Sequence, residues 1–282
     1  MYLNWPTAIL ASLAMLGNSL AQPVTVVATA AVTYSIAVQL SEYGLVFVEV
    51  LVNGEPARAL VDTGSSAAVR VSERMAQRLR LDLKVDPASS VTGLDGRRLA
   101  LQRGRLETLT VGDLALRQVE VEVAARRIED ISAQVGTAFD VVLGWGFLSR
   151  YHFALDYPKR QLRFSADPLP PSAQGLAIPY FTMNRVPVVN AGIAGIAGQS
   201  VQLLVDTGAP MCNIDAAFAN TAIGQIVSRE LVLDGKPQPV EWRVKDLAVT
   251  RNALGTVATL GNNLLGRHTL HVDILRQTIT LD

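Results

Sequence analysis

Cysteine is almost missing from this chain: its 282 residues include one, Cys212. A lone thiol builds neither an internal disulfide framework nor a cysteine-held zinc or iron–sulfur site. Net charge is missing too, because 25 Lys+Arg balance 25 Asp+Glu. Without a basic excess the chain is poorly suited to hold nucleic acid by its phosphates. Charged residues make up only 18% of the chain and hydrophobic ones 49%, which excludes a disordered polyelectrolyte. There is no Gly-x-Ser-x-Gly elbow and no Walker-type phosphate loop. The length suits one large domain or two lobes, each able to bury a core.

The N-terminus reads as a removable leader. Residues 8–16 (AILASLAML) are an uncharged apolar run, and Ser19 and Ala21 form a small-x-small site that puts cleavage after Ala21. Residues 1–6 carry no Lys or Arg, which departs from the usual leader. Asn18, Ser19 and Gln22 interrupt the run short of the roughly 20 apolar residues of a membrane span, and no other stretch is long enough. Residues 1–21 are expected to be a signal peptide of an exported, periplasmic or secreted protein; the other reading is a retained N-terminal anchor. Residues 22–42 then form an N-terminal extension, either a short prosegment or a first strand.

What is present is a repeat. Residues 143–164 (LGWGFLSRYHFALDYPKRQLRF) align without a gap on residues 260–281 (LGNNLLGRHTLHVDILRQTITL), with Gly144/Gly261, Arg150/Arg267 and Asp156/Asp273 among the identities. Upstream, residues 59–66 (ALVDTGSS) match residues 203–210 (LLVDTGAP). Each copy opens with a strand, at residues 45–52 or 186–193, and turns at Asn53-Gly54 or at residues 195–198. It then returns into Asp-Thr-Gly. The chain divides into a first lobe at 43–165, a proline-rich linker at 166–175 and a second lobe at 176–282. Helix is scarce: Ser72 is placed to cap residues 73–79, and Asp215 residues 216–222. Residues 106–111, 116–123 and 242–249 alternate with period two and read as strands. The class is mainly β, with one or two short helices per lobe.

The chemistry lies in the two Asp-Thr-Gly triplets. One alone is most simply a strand-ending turn, and arises by chance in roughly one chain in twenty of this length. Two in matched contexts call for a joint explanation. A pseudo-twofold axis that brings Asp62 and Asp206 together sets like charges a few ångströms apart, so the pair holds one proton over an intermediate pH range. The ionised member can deprotonate a water while the protonated one donates to a carbonyl oxygen. Glycine after Asp-Thr lets the backbone turn sharply. This chemistry needs neither a metal nor a cofactor.

These residues resemble the aspartic peptidases of the pepsin and retropepsin type. The resemblance covers both repeats, roughly residues 43–165 and 176–282, and reads as a fused, single-chain, retropepsin-like enzyme of bacterial type. It implies a bilobal fold of two pseudo-twofold-related β lobes with short helices. It makes Asp62 and Asp206 the catalytic dyad, with Thr63 and Thr207 as loop braces and Gly64, Ser65 and Gly208 as loop support. The apolar-Leu-Gly elements at 142–144 and 259–261 lie beneath the loops in that family. Thr92, Gly93, Leu94, Asp95 and Gly96 fall where the family carries a flap over substrate; an ordinary glycine hairpin is the other reading. The residue after the triplet can hydrogen-bond the carboxylate in that family. Ser65 in the first copy against Ala209 in the second therefore favours ionisation on Asp62, with Asp206 as proton carrier.

There are departures. No tyrosine occupies the flap stretch, Thr259 replaces the apolar residue usual before Leu-Gly, and Asn262-Asn263 follow it. Elsewhere, His268 and His271 lie three apart in an expected strand and point to opposite faces, so no metal site is expected. Cys212 reads as a buried thiol. Arg97, Arg98, Arg103 and Arg105 read as a solvated face or as contacts to acidic substrate residues. The expectation is an aspartic endopeptidase acting on peptides or proteins as a monomer, with no nucleic-acid partner and no stable membrane span once the leader is removed. The alternative is a catalytically weak peptide-binding module of the envelope.

Overall fold

The structure, a computed structural model, describes residues 32–92, 98–196 and 200–282. The expected leader at 1–21, most of the extension before the first strand and the expected flap tip at Gly93–Gly96 lie outside the described residues.

The first repeat opens with β1 (Thr33–Ala37), β2 (Gln39–Leu40), β3 (Val46–Val52), β4 (Glu55–Asp62), β5 (Val69–Val71) and α1 (Glu73–Arg78). It continues through β6 (Lys84–Thr92), β7 (Arg98–Val111), β8 (Leu114–Ala124) and α2 (Arg127–Val135). It closes with β9 (Val141–Gly144), α3 (Trp145–Leu148), β10 (His152–Asp156) and β11 (Gln161–Ser165). The second repeat runs β12 (Leu176–Met183), β13 (Val186–Ile193), β14 (Val201–Val205), β15 (Cys212–Asp215), α4 (Ala216–Ala219) and β16 (Ile226–Leu233). After these come β17 (Lys236–Lys245), α5 (Ala248–Leu254), β18 (Ala258–Leu260), α6 (Asn262–Leu265), β19 (Thr269–Asp273) and β20 (Thr278–Leu281).

Local chemistry explains the hairpins. Asn53 and Gly54 both take positive φ, 49° and 83°, as a two-residue type I′ turn requires, and the Asn53 carboxamide accepts from the Thr108 N–H at 3.0 Å. Asp234 and Gly235 do the same, at 48° and 71°, between β16 and β17.

An eight-stranded sheet, β2-β3-β4-β9-β5-β8-β7-β6, holds the first repeat's strands from β2 to β9. In the twelve-stranded sheet, the run β1-β11-β10-β19-β20-β12 mirrors itself about the antiparallel pair β10–β19, where Phe153 faces Val272. The two repeats thus share one backbone ladder. Under it, Phe147 and Phe164 meet edge-to-face at 5.6 Å with Phe153 beside them, all fully buried; cutting Phe153 to alanine should cost about 3–5 kcal/mol.

In each lobe the strand that ends at Asp-Thr-Gly is central. β4 lies between β3 and β9 and runs parallel to β9, pairing Asp62 with Gly144. β14 runs parallel to β18, pairing Val205 with Leu260. Ala59, Leu60 and Val61 are all buried, as befits a strand covered on both faces.

The helices differ from expectation. Among the described residues each repeat has three, and α2 has no side-chain N-cap; Arg126 enters α2 at φ 56°, so no start signal precedes it. The strand expected through residue 249 stops at Lys245, and α5 follows. α4 ends at Ala219 because Asn220 turns left-handed, at φ 53°. The Ser72 and Asp215 caps are both formed, on Met75 N–H and Ala217 N–H.

Candidate active site

The two Asp-Thr-Gly loops meet through their threonines. Thr63 N–H donates to Thr207 Oγ1 at 3.0 Å and Thr207 N–H donates to Thr63 Oγ1 at 3.0 Å. Each hydroxyl then donates across the axis, Thr63 to the Val205 carbonyl at 2.7 Å and Thr207 to the Val61 carbonyl at 2.8 Å. Both threonines are buried, so every donor and acceptor in this cross-brace is satisfied away from water.

The brace sets each carboxyl on the other loop's glycine. A Cβ on Gly64 would fall 2.5 Å from Asp206 Cγ, and one on Gly208 would fall 2.6 Å from Asp62 Cγ. Neither glycine takes positive φ, so close packing, not a sharp turn, is what demands them. Gly208 N–H donates to Asp206 Oδ1 at 2.9 Å. Beneath, Trp145 N–H donates to the Ser65 carbonyl at 2.7 Å and Asn262 N–H to the Ala209 carbonyl at 2.9 Å. A Cβ on Gly144 would collide with the Ala67 carbonyl, and one on Gly261 with the Met211 carbonyl.

Burial comes first in the electrostatics, since it penalises charge on both acids. Asp206 is held well above the usual carboxylate range by burial, then by the Asp62 charge and the hydrogen bond between the two carboxyls. Asp62 is raised by burial too, but the bond from Asp206, the Arg70 charge and the Gly64 and Ser65 N–H groups pull it back down. Both carboxyls are thus held up, Asp206 the more strongly. The Ser65 hydroxyl, expected to bond the Asp62 carboxylate, is buried without a hydrogen-bond partner among the described residues. Nearby charge and backbone N–H groups act instead.

Residues 48–150 match the family model described as "gag-polyprotein putative aspartyl protease". Over these residues the first lobe is similar to that family. That match takes in Asp62-Thr63-Gly64, the hairpin strands β6 and β7, and the Leu143-Gly144 element. A solved structure of a retropepsin-like aspartic protease from Rickettsia conorii aligns with 48% of this chain and 91% of its own, at 21% identity and a TM-score of 0.35. No curated protein matches the chain.

Around the two Asp-Thr-Gly loops, the other sequence candidates scatter. β6 and β7 pair as far as Thr92 opposite Arg98; Gly93, Leu94, Asp95, Gly96 and Arg97 lie outside the described residues. Arg103 pairs with Asp86 at 2.8 Å and Arg105 with Glu120 at 3.2 Å, cross-strand ion pairs of an exposed face. Cys212 is fully buried and burial pushes its thiol up to about 12, so it stays protonated and unreactive. His268 precedes β19 and His271 lies in it, against Asp282 at 3.1 Å. Among the described residues no group of three or more His, Cys, Asp or Glu could hold a metal ion, and no helix is long and apolar enough to cross a membrane.

Sequence reasoning missed Arg70, whose charge acts on Asp62, and Lys245, whose charge acts on Asp206. It also missed Tyr157, which reaches the second loop through Asn262. A lone arginine between two valines in β5 was the available signal for the first.

Proposed function

We propose that this protein is an aspartic endopeptidase in which Asp62 and Asp206 activate a water. Ionised Asp62 takes a proton from that water as its oxygen attacks the peptide carbonyl carbon. Asp206 gives its proton to the carbonyl oxygen, forming a neutral tetrahedral diol. On collapse, the proton gained by Asp62 passes to the leaving nitrogen, the C–N bond breaks, and a diol hydroxyl returns a proton to Asp206. The observation that carries this reading is the mutual seating of each carboxyl on the other loop's glycine. That seating costs charge repulsion and burial, and a binding module would gain nothing from it.

The same reading takes the protein as an exported enzyme, freed of its leader after Ala21 and working as a monomer, since both carboxyls belong to one chain. Incubation with an unfolded protein across pH 3–8 tests it. Cleavage with a mildly acidic optimum, abolished by a hydroxyl-bearing transition-state analogue of aspartic peptidases, is expected. No cleavage at any pH, with peptides still bound, would replace it with the binding-module reading.

A further inference from the structure

Two guanidinium groups on the Asp62 side of the first lobe have buried N–H donors with no acceptor among the described residues. Arg70 lies in β5 between buried Val69 and Val71, directly opposite Val142 of β9. Its side chain is 13% exposed. Nη2 donates to Glu122 at 2.9 Å, but Nε is buried with no acceptor. Arg127 opens α2, and both its Nε and its Nη1 are buried with no acceptor among the described residues. Ile128, the next residue, is buried in one cluster with Leu60 and Val142, which brings Arg127 to the face of β4 that carries Asp62. The charges of Arg70, Asp62 and Asp130 act on it. Burial and the Arg70 charge work against its protonated form.

Their setting is the face from which Asp62 projects. Leu60 and Asp62 alternate on β4 and share that face. Leu60 packs with Val142, Phe139 and Ile128, the residue after Arg127, in one apolar cluster. Arg70, paired with Val142, rises beside the same cluster. A protein gains no stability from like charges on one face with buried donors unpaired. Glu122, which pairs with Arg70, is shared with Arg103 at 3.5 Å. The Asp62 and Asp130 charges favour the Arg127 cation but leave its buried donors without an acceptor among the described residues. A guanidinium pair of this kind suits a ligand carboxylate, whose two oxygens accept several N–H bonds at once.

We propose that Arg70 and Arg127 form a carboxylate-binding subsite beside Asp62, and that the enzyme selects peptides with an acidic side chain flanking the scissile bond on the first-lobe side. This rests on the peptidase reading above and adds its substrate class. The second lobe has Asn213 opposite Thr259 where the first has Arg70 opposite Val142, so the selection is confined to one side of the bond.

The test is a set of hexapeptides with a central hydroxyethylene isostere, carrying Glu or Gln at each flanking position in turn, titrated against the full chain. Binding needs no hydrolysis, and the matching amide peptides report cleavage separately. One position should favour Glu over Gln at least tenfold, and that ratio should fall towards one in Arg127→Gln and in Arg70→Gln. Arg127→Lys, which keeps the charge, should retain part of it. No Glu preference at any position, or one that survives both glutamine variants, would overturn the subsite. Glu-selective binding without cleavage of any amide peptide would overturn the peptidase reading and leave the subsite standing.

Discussion

Tyr157 donates its hydroxyl to Asn262 Oδ1 at 2.7 Å, and Asn262 in turn donates Nδ2 to the Thr207 carbonyl at 2.8 Å. All three residues are buried. A tyrosine of the first repeat thus steadies the second repeat's Asp-Thr-Gly loop, through the residue that made the second Leu-Gly element look atypical.

Asn262→Ala should strand both the tyrosine hydroxyl and the Thr207 carbonyl, at about 1–3 kcal/mol for each buried group left unpaired. Tyr157→Phe should cost less, because only one partner remains. A double-mutant cycle in urea should return a coupling of about 0.5–1.5 kcal/mol; a cycle that closes to zero would remove the relay.

The threonine brace should respond to hydroxyl loss and not to volume. Thr207→Val keeps the shape but strands Thr63 N–H and the Val61 carbonyl, both bonded by Thr207 Oγ1. A loss of about 2–4 kcal/mol is expected from two such groups. Thr207→Ser should restore most of it, measured as the urea midpoint at constant m-value.

Stability should fall as pH rises. The folded-state pKa of Asp206 is raised by burial and by Asp62, so folding favours its protonated form. That contribution is complete below the unfolded value of about 4 and is lost as pH climbs through the raised folded value. Asp206→Asn removes the titration. Relative to wild type it should melt higher at pH 7–8, and the gap should close near pH 3.5; a gap independent of pH would contradict the shared-proton site.

The acidic limb of the pH–rate profile should follow Arg70 and not Ser65. Arg70 lowers the Asp62 pKa, so Arg70→Gln should move the limb up by about half a pH unit or more. Ser65 Oγ has no partner among the described residues, and Ser65→Ala should leave the limb within about 0.2 unit. A large Ser65 effect would return the bias to the hydroxyl.

Much of this site was legible because its signals are local. Asp62-Thr63-Gly64 and Asp206-Thr207-Gly208 each end a strand that reads as apolar, and the Asn53-Gly54 turn states its own type. The Ser72 and Asp215 caps likewise lie beside the helices they start. α2 was illegible because it has no side-chain cap, and α5 because its start is marked only from two residues upstream, by Asp246 accepting from the Ala248 N–H. Arg70 was illegible because its partner Glu122 is 52 residues away. Arg127 acquires meaning only when its helix brings it to the face of β4 that carries Asp62, and Gly64 only when Asp206 of the other lobe rests on it.

The central claim is that two facing carboxyls act as one catalytic unit, and turnover of a single cleavable peptide by Asp62→Asn and Asp206→Asn tests it most directly. Each substitution is nearly isosteric, so both variants should fold and bind the hydroxyethylene isostere peptide. Both should lose kcat by at least about a thousandfold, since each removes one half of the proton exchange. Wild-type turnover in either variant at the wild-type optimum would contradict the account.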